Sequence, residues 1–446
     1  MSLTNASPEE AARAAKMSSR TLATLPTTAR NNALDAIHDA LAAERESILA
    51  ANAKDLELAK KSAANGELSA SILKRLDLSR KGKFDDMLQG IKDVRGLEDP
   101  ELDEGLILQR QTCPIGVLLI IFEARPEVIA NIASLAIKSA NAAILKGGKE
   151  STESFKAIST IISKALAGTE VPNDSIQLVT TRDAVDPLLE LSQYIDLVIP
   201  RGSNELVSYC QRKAHMPVLG HADGLCTIYI HSDADKEMCV NVVVDSKTDY
   251  PAACNAVETL LVHEDALETI LPAVASALIT KGVELRCDEP SKSALSKHLP
   301  QDQTSLLRAS TGTDYDTEFL DLTLAIRTIP STSHPSPVDA AITHINTHGS
   351  HHTDCILTSS KQISDHFSNG IDSACKFWNC STRFCDGMRF GFGTEVGIST
   401  NKVHARGPVG LEGLMIHEYR LAGQGQGAAM YGTGGRGFRH KKLPVT

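Results

Sequence analysis

From Pro114 onward, short apolar runs alternate with helical stretches, and this alternation limits the fold more than any other feature of the sequence. Strands and helices in alternation are typical of parallel sheets with helical crossovers. A second alternating block begins at Leu225 and extends to about Thr358. The sequence therefore predicts two α/β domains that meet near residue 235. The predicted elements of the first block are 117–122, 127–139, 142–145, 154–166, 176–179, 184–191 and 196–199, and the predicted strands of the second block are 256–262, 320–329 and 355–358.

Composition narrows the function classes. The 446 residues carry a formal net charge of −10, which argues against nucleic acid or an anionic membrane as the main partner, because both favour a basic surface. No stretch approaches the roughly 18 apolar residues of a membrane span, and residues 1–20 lack the apolar core of a signal peptide. Ten cysteines without the spacing of a small disulfide scaffold fit a reducing compartment. We therefore expect a cytoplasmic protein that binds neither nucleic acid nor membrane.

Cys254 is the strongest candidate nucleophile. It lies between small residues just before the apolar run 256–262, where the end of a strand would present a thiol. A thiolate attacks acyl carbon, and the resulting thioester accepts hydride from a nicotinamide cofactor. A small buried thiol that packs like alanine is the ordinary alternative for a cysteine. The flanking residues favour the nucleophile, and its chemistry requires a cofactor site elsewhere in the chain.

Two turns between a strand and a helix are candidates for that cofactor site. Residues 142–150 run from an apolar strand into two lysines and two glycines, and the second lysine favours NADPH because it would pair with the 2′-phosphate. Residues 200–203 open a helix near Asn204, where backbone N–H groups would bind a pyrophosphate. Solvated lysines and a plain turn are the alternatives. The candidate cofactor residues in these turns are Lys146, Gly147, Lys149, Arg201, Gly202 and Ser203.

Three other patterns are weaker evidence for function. The glycine-rich tail contains G-x-G-x-x-G at 432–437, but too little sequence follows it to complete a dinucleotide-binding unit. The histidines within 344–352 lack the glutamate of H-E-x-x-H, and Gly349 should end their helix. The cysteines within 375–385 match no common zinc or iron–sulfur spacing. We therefore expect no metal site.

The segment around Cys254 and five further segments resemble the signatures of the gamma-glutamyl phosphate reductase family, a branch of the aldehyde dehydrogenase superfamily. These segments occur in that family's order, and the resemblance covers roughly residues 10–425. It implies an α/β, aldehyde dehydrogenase-like fold with two α/β domains of parallel sheets plus a small oligomerisation arm. The five segments are 200–205, 216–224, 341–354, 381–387 and 395–408.

The resemblance also implies domain boundaries. The NADPH-binding domain would comprise 1–100 and 113–234, with a return segment at about 386–411. The catalytic cysteine domain would be 235–385. Residues 101–112 and 412–446 would form the oligomerisation arm and a flexible, glycine-rich tail.

The chemistry implied by the resemblance is the NADPH-dependent reduction of L-glutamyl 5-phosphate to L-glutamate 5-semialdehyde and phosphate. This is the second step of proline biosynthesis from glutamate, and it would proceed through a thioester on Cys254. The backbone N–H groups of Cys254 and Asn255 are candidates for the oxyanion hole. By the same resemblance Lys146 would contact the adenosine ribose of the cofactor. Glu318 and Leu320 would contact the nicotinamide ribose and ring.

Val218 occupies the position at which aldehyde-oxidising members of the superfamily carry a glutamate that activates water. An enzyme that passes its acyl group to hydride gains nothing from such a base. This absence argues against the nearest alternative, an NAD(P)-dependent semialdehyde dehydrogenase. The intact Cys254 and cofactor segments argue against a second alternative, a catalytically silent binding protein.

Charged residues in the resembling segments are candidates for holding the substrate. Each of them is also acceptable as an ordinary ion-pair residue. A homo-oligomer is expected, and glutamate 5-kinase, which makes the acyl phosphate, is a candidate partner. The substrate candidates are Glu123 for the α-ammonium group, and Arg125, Arg383, His404 and Arg406 for the phosphate or the α-carboxylate.

Overall fold

The computed structural model describes residues 2–4, 7–65, 73, 75–80, 82–95, 107–122, 128–148, 151–179, 184–221 and 223–430. Within these ranges the strands are β1 (Ser2–Thr4), β2 (Ile107–Pro114), β3 (Val117–Phe122), β4 (Ala142–Gly147), β5 (Ile176–Val179), β6 (Leu197–Arg201), β7 (Cys226–Ile230), β8 (Val257–His263), β9 (Glu284–Cys287), β10 (Leu307–Ala309), β11 (Thr323–Ile329), β12 (Thr353–Leu357), β13 (Cys375–Trp378), β14 (Gly397–Ser399), β15 (Gly407–Val409) and β16 (Met415–Ala422).

The α-helices of the same ranges are α1 (Pro8–Thr24), α2 (Thr27–Ala43), α3 (Arg45–Ala64), α4 (Lys83–Arg95), α5 (Val128–Lys138), α6 (Thr152–Leu166), α7 (Val185–Glu190), α8 (Asn204–Lys213), α9 (Lys236–Thr248), α10 (Leu271–Thr280), α11 (Glu289–His298), α12 (Pro337–His348) and α13 (Lys361–Gly370). None of the helices in the described part of the chain is long and apolar enough to cross a membrane.

The first sheet has five parallel strands in the order β1-β5-β4-β3-β6. Helices pack on both faces, which is why β3 is apolar and buried along its whole length. The order of the strands reverses between β3 and β6, because β4 follows β3 on one side and β6 pairs with it on the other. In parallel α/β sheets ligands bind outside the carboxyl ends of the strands at such a reversal.

The second sheet has seven parallel strands in the order β10-β9-β11-β8-β7-β12-β13. The prediction of two parallel-sheet units is therefore confirmed. The predicted boundary between residues 234 and 235 is misplaced, because β7 lies within this sheet, between β8 and β12. Residues 231–235, all polar except Ala234, are not a linker; they turn the chain into α9, and the side chain of Asp235 accepts the N–H of Met238 at the start of that helix.

Two smaller pairings complete the fold. The strands β14 and β15 pair antiparallel, and Val396, Val409 and Leu411 join the apolar core of the first sheet. The strands β2 and β16 form a two-stranded antiparallel ribbon along their full lengths. A role for this ribbon as an oligomerisation arm stays a prediction, as do the limits of residues 101–112 and 412–446, parts of which lie outside the described residues.

Candidate active site

Cys254 lies in the turn that joins α9 to β8, at the amino end of a central strand of the second sheet. Hydrogen bonds from Ala253 N to Tyr250 O (3.0 Å) and from Ala256 N to Ala253 O (2.9 Å) hold the turn. The backbone of Gly224 packs so closely against this turn that a Cβ there would lie 2.0 Å from the carbonyl oxygen of Cys254. Only glycine fits at residue 224, and its approach fixes the backbone of the candidate nucleophile.

Two histidines flank the thiol. One side-chain donor atom from each of His221, Cys254 and His352 lies within 4.8 Å of the others, and the two imidazole rings meet edge to face at 4.9 Å. His352 is fully buried, whereas Cys254 is half-buried and remains accessible to a small substrate. The three side chains can share protons, which is the arrangement that a cysteine nucleophile needs. Thiolate and imidazole are also zinc ligands, so a chelator belongs in every assay of this site.

The order of the strands brings these three residues together. Cys254 precedes β8, His352 precedes β12, and His221 lies just before β7, which runs between those two strands. Parallel strands start at the same edge of a sheet, so side chains that precede adjacent strands meet there. The sequence predictions missed both histidines as site residues. The sequence does place a polar side chain ahead of each of the three strands. That pattern indicates a shared site only when the strands are known to be adjacent in the sheet.

The protonation of the site follows from its burial and its charges. Burial would raise the pKa of the Cys254 thiol, but the rings of His352 and His221 outweigh it and hold this pKa well below its usual range. Burial lowers the pKa of His221, whereas the Cys254 thiolate and the Ile398 carbonyl raise it, and the net shift is upward. Burial lowers the pKa of His352 despite the attraction of the thiolate. The site therefore favours a thiolate, a protonated His221 and a neutral His352.

Asn255 is held rigidly beside the nucleophile. Its side-chain Nδ2 donates to Cys385 O at 2.7 Å, and its Oδ1 accepts from Arg383 Nη1. Arg383 Nε also donates to Asp249 Oδ2 at 3.2 Å. The structure thus brings the predicted substrate residue Arg383 next to Asn255, where it positions the Cys254 turn. A direct contact of Arg383 with substrate stays a prediction.

The predicted nicotinamide residues Glu318 and Leu320 each make a hydrogen bond to a residue next to β7 or in β8. Glu318 Oε1 accepts from Gly224 N at 3.0 Å, and Leu320 N donates to Glu258 Oε1 at 3.1 Å. Leu320 adopts a left-handed backbone conformation with φ +53°, which delays the start of the predicted strand 320–329, so that β11 begins only at Thr323. Burial and then the nearby Cys254 raise the pKa of Glu318 to about 7. Glu318 is therefore linked to Gly224, which packs against the Cys254 turn, and Leu320 is linked to the side chain of Glu258 on β8.

The predicted cofactor turns follow β4 and β6, at the carboxyl-terminal ends of the strands of the first sheet. Gly147 ends β4 against the ring of Phe155, where a Cβ would lie 2.1 Å from a ring carbon. Lys146 Nζ donates to Gly147 O at 3.0 Å. Gly202 follows β6, and Ser203 caps α8 by accepting the N–H of Leu206. Two glycine-containing turns and a capped helix start suit an anionic cofactor, and these assignments stay predictions.

The side chain of Arg201 lies close to His221 and Glu395. It also lies against Gly397, the neighbour of the residue whose carbonyl binds His221. Burial raises the pKa of Glu395 to about 7 against the attraction of Arg201. Residues from the first sheet and from β14 therefore complete a site whose candidate nucleophile precedes a strand of the second sheet.

Of the remaining substrate candidates, the structure describes Arg406 and His404. Arg406 Nη1 donates to Asp372 Oδ1 at 3.0 Å and its Nη2 donates to Asp372 O at 2.9 Å, so its charge is already paired. His404 is exposed. Glu123, Arg125 and the predicted 2′-phosphate residue Lys149 lie outside the described residues.

Comparison with known proteins agrees with this architecture. The model of the aldehyde dehydrogenase family matches residues 2–293. The chain is 51% identical over 447 residues to a probable gamma-glutamyl phosphate reductase of Schizosaccharomyces pombe, covering 98% of this chain and 97% of that one. It is 46% identical over 442 residues to a gamma-glutamyl phosphate reductase of Synechococcus elongatus, covering 97% and 98%.

Solved structures give the same result. The crystal structure of a gamma-glutamyl phosphate reductase from Thermotoga maritima matches with a TM-score of 0.84 at 35% identity, covering 94% of this chain and 99% of that one. An acetylating aldehyde dehydrogenase from Geobacillus thermoglucosidasius shares the fold, with a TM-score of 0.68 at 15% identity over 94% and 97% of the two chains. The chain is thus an enzyme of the aldehyde dehydrogenase family. Within that family, the chain belongs to the gamma-glutamyl phosphate reductases.

Proposed function

We propose that this enzyme reduces L-glutamyl 5-phosphate to L-glutamate 5-semialdehyde with NADPH, in the cytoplasm, as the second step of proline biosynthesis from glutamate. The observation that carries the proposal is Cys254, set between two imidazoles that lower the pKa of its thiol, in a chain that matches gamma-glutamyl phosphate reductases over nearly its whole length. Members of the aldehyde dehydrogenase family act with a nicotinamide cofactor. The choice of NADPH rests on Lys149, which adds the charge that a 2′-phosphate would pair with.

The thiolate of Cys254 attacks the acyl carbon, a bond from sulfur to carbon forms, and the carbon–oxygen bond to phosphate breaks. The leaving phosphate takes up a proton from water, and the acyl group remains on sulfur as a thioester. When bound, the cofactor supplies one hydride to the thioester carbon. The resulting thiohemiacetal collapses, the carbon–sulfur bond breaks, and the thiolate re-forms as the aldehyde leaves. The backbone N–H groups of Cys254 and Asn255 stabilise the oxyanion at both stages.

The first sheet provides the surface for the cofactor. Lys146, Gly147, Gly202 and Ser203 lie at the carboxyl ends of β4 and β6, beside the point at which the strand order reverses. The N–H groups at the start of α8 would bind the pyrophosphate, since a ten-residue helix directs its positive end toward this edge. Glu318 and Leu320 on the opposite unit would hold the nicotinamide ribose and ring close to Cys254.

The assembly prediction has a structural observation in its favour. Tyr419 and Leu421 on β16 are 68% and 66% exposed, and a two-stranded ribbon cannot bury them by itself. A second copy of the chain that extends the ribbon would cover them. A homo-oligomer is therefore proposed, and contact with glutamate 5-kinase remains a prediction from the resemblance alone.

A phosphate-dependent reverse assay tests the function. With glutamate semialdehyde as substrate, reduction of NADP⁺ should require inorganic phosphate, because only phosphate can release the acyl group from Cys254 as the acyl phosphate. Equal rates with and without phosphate, with glutamate as the product, would instead identify a hydrolytic semialdehyde dehydrogenase. The assay contains a chelator and uses the full chain.

Lys149→Glu should weaken NADPH far more than NADH. The substitution replaces a charge-assisted contact to the 2′-phosphate by repulsion, and loss of such a contact costs about 1.5–3 kcal/mol, or roughly 10- to 100-fold in the dissociation constant. Fluorescence titration with each cofactor measures the effect. Lys164→Glu, at an exposed lysine on α6, is the matched control and should bind both cofactors normally. An equal loss for NADPH and NADH would show that Lys149 does not read the phosphate.

A further inference from the structure

We infer that His221 is the base that ionises Cys254 and that His352 stabilises the resulting thiolate as a neutral hydrogen-bond donor. The inference deepens the proposed function, on which it rests, by naming the groups that activate its nucleophile. Ionisation moves one proton from Cys254 Sγ to His221 Nε2 and changes no other bond. The base thereby comes from the residue three positions after Val218, where the aldehyde-oxidising relatives carry their glutamate.

The hydrogen bond of His221 defines its tautomer. Nδ1 of His221 lies 2.7 Å from the carbonyl oxygen of Ile398, and a carbonyl can only accept, so Nδ1 carries a proton. The neutral ring therefore has its lone pair on Nε2, the nitrogen that remains for Cys254. Ile398 belongs to β14, whose pairing with β15 fixes the carbonyl. Cys254 is thus the nucleophile, His221 is its base, and the Ile398 carbonyl orients that base, which is the arrangement that activates a nucleophile.

We assign the opposite tautomer to His352. Its Nδ1 lies 2.9 Å from Thr353 Oγ1 and 3.7 Å from Cys226 Sγ, two groups that can donate a proton to it. Nε2 then carries the ring's own proton, and this fully buried atom has no hydrogen-bond partner among the described residues. A buried N–H group without an acceptor is costly. The thiolate of Cys254 is the acceptor that the cluster provides.

The division of roles explains why a histidine near the thioester does not promote hydrolysis. Once His221 has taken the proton from Cys254, it has no lone pair with which to activate water. His352 is buried and directs an N–H toward the sulfur, so it offers no base either. The acyl group therefore stays on Cys254 until hydride arrives, which is the outcome that the absent glutamate at residue 218 also favours.

Other titratable groups face the same cluster and must be separated from His221 in any pH study. Burial raises the pKa of both Glu318 and Glu395 to about 7, so these carboxyls change charge in the neutral range. A pH profile of the wild type alone would therefore combine several ionisations. Comparing the wild type with a histidine variant at each pH isolates the contribution of that histidine. The charged or titratable groups around Cys254 and His221, besides His352, are Cys226, Glu318, Glu395 and Arg201.

The test is the rate at which iodoacetamide alkylates Cys254 in the substrate-free full chain, measured with a chelator from about pH 5 to pH 10, a range that spans the ordinary cysteine pKa. His221→Asn keeps an amide donor for the Ile398 carbonyl but removes the base. We expect its alkylation rate at pH 7 to fall about 30-fold, because a thiol of ordinary pKa is only a few per cent ionised there. The rate should recover toward the wild-type value near pH 9 or 10, and turnover should follow the same profile.

His352 is tested by a pair of variants. His352→Gln places an amide N–H near the position of Nε2 and should keep most of the thiolate at neutral pH, whereas His352→Leu should shift the alkylation profile upward. Cys254→Ser gives the background rate from the other thiols. If His352→Gln and His352→Leu shift the profile equally, His352 acts by packing alone and its role as a donor is overturned.

Several results would overturn the role of His221. An unchanged profile in a folded His221→Asn variant would exclude it as the base, and so would a rate lowered equally at every pH, which indicates a structural role. If His221→Asn does not fold, His221→Gln is read in the same way. The alkylation assay needs neither substrate nor cofactor. A shifted profile without reduction of glutamyl phosphate would therefore refute the proposed function while leaving the cysteine–histidine pair intact.

Discussion

Cys254→Ser abolishes reduction of glutamyl phosphate while leaving NADPH binding nearly unchanged. The serine hydroxyl occupies similar space, but it does not ionise in the neutral range. The two imidazoles that lower the pKa of the Cys254 thiol cannot lower the pKa of a hydroxyl far enough to form an alkoxide. We expect turnover to fall by roughly 1,000-fold or more, as is usual when a covalent nucleophile is lost. Steady-state kinetics give the rate, and fluorescence titration gives the affinity for NADPH.

Cys113→Ser is the matched control for this variant. Cys113 is a half-buried thiol on the ribbon of β2 and β16, and it takes no part in the site. Its replacement should leave turnover and cofactor affinity as in the wild type. If Cys254→Ser retains a substantial fraction of the wild-type rate, Cys254 is not the nucleophile and the thioester route is wrong.

The fold was predictable where local pattern determines the element. The run 117–122 is a strand with the predicted ends, since six successive apolar residues can be buried only at the centre of a sheet covered on both faces. The boundary between the two units was not predictable in the same way. The mostly polar residues 231–235 have the composition of a linker and also that of a helix start, and the hydrogen bonds of Asp235 decide for the helix start.

The site was predictable only in part, for a physical reason. Cys254 was found because its own neighbours present it at the start of a strand. The roles of His221 and His352 depend on β7 lying between β8 and β12, and the order of strands in a sheet is set by long-range packing that no local spacing encodes. The same limit applies to Arg383, whose contact with Asn255 joins residues 128 positions apart.

Lys247→Met should destabilise the protein strongly, because it leaves a carboxylate buried without its counter-ion. Lys247 on α9 and Glu258 on β8 form an ion pair of 2.6 Å, with side chains 0% and 1% exposed. Breaking such a pair from one side costs about 3–5 kcal/mol. The loss should also reach the site, since Glu258 Oε1 accepts the N–H of Leu320, one of the predicted nicotinamide residues. Chemical denaturation measures the free energy of unfolding.

The dependence on pH identifies the cause. Burial raises the pKa of Glu258 to about 7, even though Lys247 lowers it, while a glutamate in the unfolded chain titrates near 4.3, roughly its usual value. A group whose pKa is higher in the folded state contributes stability that is present at low pH and is lost as the pH rises toward the folded value. Removing Lys247 raises the pKa of Glu258 in the folded protein further. The free energy of unfolding that Lys247→Met loses relative to the wild type should therefore be smaller near pH 5.5 than near pH 8. Below its folded pKa, Glu258 is protonated and no longer carries a buried charge.

Two further variants complete the test of the buried pair. Adding Glu258→Gln to Lys247→Met removes the uncompensated charge but keeps an acceptor for Leu320 N, so it should restore most of the lost stability at pH 8. Lys236→Met, at an exposed lysine on the first turn of α9, should change the free energy of unfolding by less than about 0.5 kcal/mol, as surface substitutions usually do. A deficit of Lys247→Met that is the same at both pH values, and that Glu258→Gln does not relieve, would show that lost packing rather than an unpaired carboxylate destabilises the protein.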